Sequence, residues 1–136
     1  MGAWGRGSFD NDDALDWLGE LTVSDDVNPI VGAFDAVERS GNEYLEAPEA
    51  AAGLAAAEVV AAARGRPAPI LPTSVQEFLA KQPRIDRRLA ERARRVVGQV
   101  GRASELADLY TEAGTAGEWR ELVKNLEDRL TQTLGM

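Results

Sequence analysis

The densest cluster of oxygen ligands in the chain is Asp10-Asn11-Asp12-Asp13. Such a run can hold calcium or magnesium, but it lacks the glycine and the distant glutamate of an EF-hand loop. Helix capping accounts for the same residues. Asp10 suits the N-cap, Asp13 supplies a carboxylate version of the capping box, and Phe9 sits where a hydrophobic staple would. Asp12 and Asp13 also suit the positive end of a helix dipole. Gly2, Gly5 and Gly7 loosely resemble a phosphate-cradling loop. Their spacing fits neither the dinucleotide motif nor the P-loop, and the aspartates behind them would repel an anion. Glu58 is the sharpest single residue. It stands alone in an apolar stretch, where an unpaired carboxylate costs several kcal/mol. It must reach water or find a partner: an arginine of the fifth helix, the backbone amides of the N-terminal arm, or a Trp N–H. A carboxyl of raised pKa in a pocket is the other reading.

What is missing narrows the chemistry further. The 136 residues include no cysteine and no histidine. Disulfides, thiolate nucleophiles and Ser-His-Asp triads are excluded, and nearly every zinc site goes with them. No metal or other cofactor is expected. Enzymes can work with carboxylates alone, but the loss of histidine and cysteine lowers the case for an enzyme. Arg84, Arg87, Arg88, Arg92, Arg94 and Arg95 could meet nucleic-acid phosphates. The chain is nevertheless acidic overall, at net −8, no aromatic interleaves with the arginines, and Asp86 and Glu91 interrupt them. A solvated or partner-facing helix is the simpler reading, with Arg87, Arg88, Arg92 and Trp4 as candidate partner-facing residues and no nucleic acid.

Charge is segregated along the chain. Residues 1–60 carry 13 acidic and 2 basic side chains, residues 61–102 carry 3 and 10, and residues 103–136 carry 7 and 3. An acidic head and a basic middle can attract each other within one fold or between two copies. No apolar run approaches the roughly 20 residues needed to span a bilayer, and the N-terminus has no signal-peptide pattern. A soluble cytoplasmic protein that does not engage a membrane is expected.

The elements that position these residues read as helices throughout. A glycine-rich extended arm over 1–9 leads into a helix with Leu15, Trp17, Leu18 and Leu21 on its apolar face. Asn28-Pro29 opens a second helix, whose Ile30, Ala33, Phe34 and Val37 share one face. Pro48 starts a third, which Arg64-Gly65 ends. Its Leu54, Val59, Val60 and nine alanines make it apolar on nearly every side, and a helix of that kind belongs in the middle of a bundle. Residues 66–72, RPAPILP, form a proline-rich connection. Thr73 to Gln76 reads as a capping box for a short fourth helix. The fifth runs from about Arg84 to Arg102 and should weaken, end or pack closely at Gly98 and Gly101. Ser104 caps a sixth, closed by Gly114. Thr115 to Glu118 caps the last, which carries Trp119, Leu122, Val123, Leu126, Leu130 and Leu134. No alternating segment argues for a sheet. The expected fold is all-α: a single irregular bundle of about six or seven helices over residues 1–136.

The start of the chain, MGAWGRGSFDNDDALDWLGEL, resembles a family of small bacterial proteins catalogued as Domain of Unknown Function 4259. The later LAAAEVVAAARG and SELADLYTEAG…EWRELVKNLEDRL also look like its segments, with Tyr110 where tryptophan is common. The resemblance implies a stand-alone bacterial protein and brings no activity, cofactor or catalytic residue.

The leading functional expectation is a non-enzymatic protein that binds a protein partner through its acidic surface, as an immunity-type or antitoxin-like protein would. A carboxylate enzyme or small-ligand protein is the alternative, with Glu58 and the Asp10–Asp13 turn lining one pocket. A homodimer held by the basic fifth helix against an acidic face is the third.

Overall fold

The chain folds into helices wherever its apolar residues recur at helical spacing. The structure, a computed structural model, describes residues 7–41, 43–102 and 104–135. Among these it contains seven helices: α1 (Asp12–Thr22), α2 (Asn28–Ser40), α3 (Ala47–Ala63), α4 (Thr73–Ala80), α5 (Arg87–Arg102), α6 (Glu105–Glu112) and α7 (Ala116–Leu134). There is no strand among the described residues. One isolated parallel bridge joins Leu45 to Ser104. No described helix is long and apolar enough to cross a membrane.

Helix α3 is the axis of the bundle. It packs against α1, α2, α5, α6 and α7, and nearly every side chain from Ala50 to Ala61 is buried. Its alanines let neighbours approach closely, and Gly53 marks the tightest approach. A Cβ built there would lie 2.8 Å from a methyl of Val37 in α2 and 3.2 Å from a methyl of Val96 in α5. Gly101 does the same between α5 and α7, with a Val123 methyl 3.1 Å from a built Cβ. Helix α5 therefore runs through both of its glycines and packs closely on α7 at Gly101.

Local stop signals act as expected. Gly65 and Gly114 take positive φ values of 92° and 80°. The bonds around them, Arg66 N–H to Ala61 O and Gly65 N–H to Ala62 O, then Thr115 N–H to Tyr110 O and Gly114 N–H to Thr111 O, are those of Schellman endings. Ser104 caps α6, its Oγ accepting from the Ala107 N–H at 3.1 Å. Start signals shift more: Val27, not Asn28, is the cap residue of α2, and Asn28 is already helical. Asn11, not Asp10, caps α1, accepting from the Ala14 N–H at 2.7 Å. Thr73 is already helical, Pro72 holds the extended cap position, and Gln76 instead bonds Leu71 O. Thr115 caps α7 without a side-chain bond. Helix α5 starts three residues late because Asp86 accepts from the Leu89 N–H at 3.0 Å.

Two residues expected on apolar faces lie at the edges of theirs. Leu15 and Leu122 are 45% and 41% exposed. Trp17 and Trp119 are buried, and Trp119 stacks on Tyr110 with ring centroids 5.2 Å apart.

Gly53→Ala overfills the α2–α3–α5 contact at a cost of about 1–3 kcal/mol, of which helix propensity returns up to about 1. Urea unfolding should show a net destabilisation of about 1–2 kcal/mol; an unchanged midpoint would mean that the helices are further apart than described.

Candidate functional site

Glu58 is 6% exposed, on the face of α3 that looks toward α7. Its partner is Arg129 of α7, not an arginine of α5. The guanidinium forks onto the carboxylate, Nη1 to Oε1 at 2.9 Å and Nη2 to Oε2 at 3.1 Å. The Ser8 hydroxyl adds a third bond to Oε2, also at 3.1 Å. Arg129 is itself held, Nε donating to Asn125 Oδ1 at 2.8 Å and Nη1 to Arg66 O at 3.1 Å. A bidentate, satisfied pair of this kind can be buried without stranding a charge. Both Glu58 oxygens are committed, which fits a structural bridge from α3 to α7 and to the chain before α1.

Asp10 lies close by. Residues 7–10 form a turn in which the Asp10 N–H bonds Gly7 O at 3.0 Å and Asp10 Oδ2 accepts the Gly7 N–H at 3.1 Å. Asp10 and Glu58 both line a cavity of about 380 Å³, walled by Phe9, Pro69, Ile70 and Leu122. Asp12 and Asp13 do not line it. Among the described residues, no group of three or more acidic side chains is placed to hold a metal ion.

Asp13 belongs to a different constellation. Its carboxyl has a raised pKa, first from partial burial and then from the charges of Asp16, Asp12, Glu49 and Glu105. Three elements thus gather carboxylates round one point: α1, the first turn of α3 and the start of α6. The joint is tight. Glu105 Oε1 accepts the Ala47 N–H at 2.8 Å, and the Glu105 N–H bonds Leu45 O at 2.8 Å. Beside it the Tyr44 hydroxyl donates to Asp108 Oδ2 at 2.6 Å, and this bond is the main reason its pKa is pushed up to about 12.

The arginines of α5 divide. Arg92 reaches across to α2 and bonds both Asp35 and Glu38. Burial works against its charge, but these bonds outweigh it and leave its pKa above the ordinary arginine value. Arg87 pairs with Glu91 at 3.2 Å and donates to Leu134 O. Arg88 is exposed. Trp4 lies outside the described residues.

Reading by residue had singled out Asp10, Asp12, Asp13 and Glu58. The fold brings Asp10 to Glu58, and sets Asp12 and Asp13 with Asp16, Glu49 and Glu105. Arg129 carried one signal: it falls seven residues after Leu122, on the margin of the α7 stripe. Glu49 and Glu105 carried none beyond their places in first helical turns.

A family model described as Domain of unknown function (DUF4259) matches residues 2–122. No curated protein and no solved structure matches the chain.

Arg129→Met strands the Glu58 carboxylate and should cost about 3–5 kcal/mol in urea unfolding. Adding Glu58→Gln should recover most of that loss; a single variant costing under about 1 kcal/mol would mean the pair is solvated. Asp13 behaves in the opposite sense. Its folded pKa is raised, so it is neutral for stability below its unfolded pKa and weakens the fold as pH rises through the folded value. Thermal unfolding of Asp13→Asn should show a gain of roughly a few tenths of a kcal/mol at neutral pH, small because water screens the site. The gain should vanish at about pH 3, below the ordinary carboxylate range.

Proposed function

The chain belongs to the DUF4259 family, whose description carries no activity, and from its surface we propose a non-enzymatic protein that binds a protein partner through its acidic face. The observation that carries this reading is that Asp12, Asp16, Glu49 and Glu105, from three elements, all act on Asp13 and add to the rise that burial gives its pKa. Like charges held together weaken a fold, and a positively charged partner relieves that repulsion on binding. The arginines that might have neutralised the cluster within the chain are engaged elsewhere: Arg92 with Asp35 and Glu38, and Arg129 with Glu58.

The cavity beside Glu58 supports an enzyme less well. A bidentate arginine favours the charged form of Glu58, which suits a structural ion pair better than a proton donor.

The test is affinity capture from the native lysate with the wild type and with a triple variant, Asp12→Asn, Asp13→Asn and Asp16→Asn. The expected result is one partner enriched at low salt and about tenfold depleted in about 0.5 M salt, where the screening length falls to a few ångströms. The triple variant should lose it while unfolding within about 0.5 kcal/mol of the wild type, as surface substitutions do. Capture that ignores both salt and the substitutions would remove the acidic face from the mechanism.

A further inference from the structure

Beside the carboxylate cluster, an open groove of about 800 Å³ runs between α1, α2 and the first turn of α3. Its floor is apolar and low, made by Trp17, Ala33, Ala36 and Ala52. Its edges carry Glu20, Asp26 and Glu49. Trp17 is fixed there, its indole N–H bonded to Pro29 O at 3.0 Å.

Three features of this groove have no use inside the chain. Glu49 Oε2 is shielded from solvent and has no hydrogen-bond partner. A shielded carboxylate oxygen calls for a donor. Val23, also in the lining, is 86% exposed. Gly32 lies in the interior of α2, where glycine is a poor helix former, yet a Cβ built on it meets nothing within 4 Å. Gly53 is required by the packing of α2 and α5 on α3; Gly32 is required by no neighbour in the fold.

We infer that this groove is the docking site for a basic amphipathic helix of a protein partner, whose Lys or Arg pairs with Glu49 while its apolar side chains cover Trp17 and Val23. The inference rests on the acidic-face reading and specifies it. Charge complementarity selects the cations: three carboxylates edge the groove, and the Asp13 cluster adjoins it through Glu49. The shape selects a helix. Among the described residues there is no strand edge to pair with an extended chain, a helix satisfies its own backbone, and the small residues Gly32 and Ala36 let one approach closely. A second copy of this chain does not fit. Its basic helix α5 buries Leu89, Val96, Val97 and Val100 in its own core and has no comparable apolar face left for the groove.

The test selects binders from a display library of randomised helical peptides against the intact protein, then measures the enriched peptides as synthetic helices. Lys or Arg should be enriched next to apolar positions at helical spacing. Gly32→Leu, for which the free protein has room, should weaken these peptides at least tenfold, and Glu49→Gln by about tenfold. Gly32→Ala should bind within about threefold of wild type and melt higher. Amide shifts on binding should map to Gly32, Ala36 and Ala52. If the selected helices are basic and salt-sensitive but ignore Gly32→Leu and Glu49→Gln, the groove is overturned and the acidic face stands. If no helix enriches, or those enriched are not basic, both readings fall. Enrichment that maps to the cavity beside Glu58 overturns the groove as well.

Discussion

Everything in this molecule is arranged around a helix that has almost no solvent face. Helix α3 can be enclosed by five neighbours because its side chains are mostly methyl groups, and because Gly53 lets α2 and α5 meet it at van der Waals distance. Alanine buries little area per residue, so the stabilisation comes from close backbone approach and from the larger side chains that neighbours bring. Phe34, Val37, Phe78, Val96 and Leu130 are fully buried. Small side chains at the centre and large ones around it make a dense core without a single cysteine.

Such an enclosure leaves no room for an unsatisfied charge, and this is what makes the Glu58–Arg129 pair informative. The guanidinium fork, the Ser8 hydroxyl, Asn125 and the Arg66 carbonyl together give Glu58 three bonds and Arg129 four. The pair adds little net stability over an apolar substitute, but it specifies an arrangement. It sets the rotation of α7 on α3 and ties the turn before α1 to both. A second arginine bridges less completely at the C-terminal end of α3: Arg64 donates to Ile85 O and Thr133 O, both at 3.2 Å, while its shielded Nε has no partner.

The acidic side of the protein is built on the opposite principle. Carboxylates of α1, α3 and α6 act on Asp13 with no cation among the residues that shift it, while Arg92 of α5 is spent on α2 and Arg87 on the C-terminal turn of α7. The segregation of charge along the chain is therefore only partly cancelled by folding. Glu58 is thus bonded on both oxygens, whereas Glu49 keeps a shielded oxygen with no partner in the chain.

Helix number, helix ends and the central place of α3 were determined by sequence alone, because their causes are local. Gly65 and Gly114 end helices through their own φ, Ser104 caps through its own hydroxyl, and an alanine-rich stretch has no polar face to turn outward. The need of Glu58 for a partner was also legible, since desolvation depends only on its apolar surroundings. Which partner it takes was not: Arg129 is 71 residues away, and only the packing angle of α7 brings it there rather than an arginine of α5. Cap registers at Asn11 and Pro72 turned on single backbone torsions that several neighbouring residues could have adopted. Leu15 and Leu122 look like core on a helical wheel, but the width of a buried stripe is set by the helix opposite. The carboxylate cluster belongs wholly to tertiary structure, because residues 13, 49 and 105 become neighbours only when three helix starts are brought together.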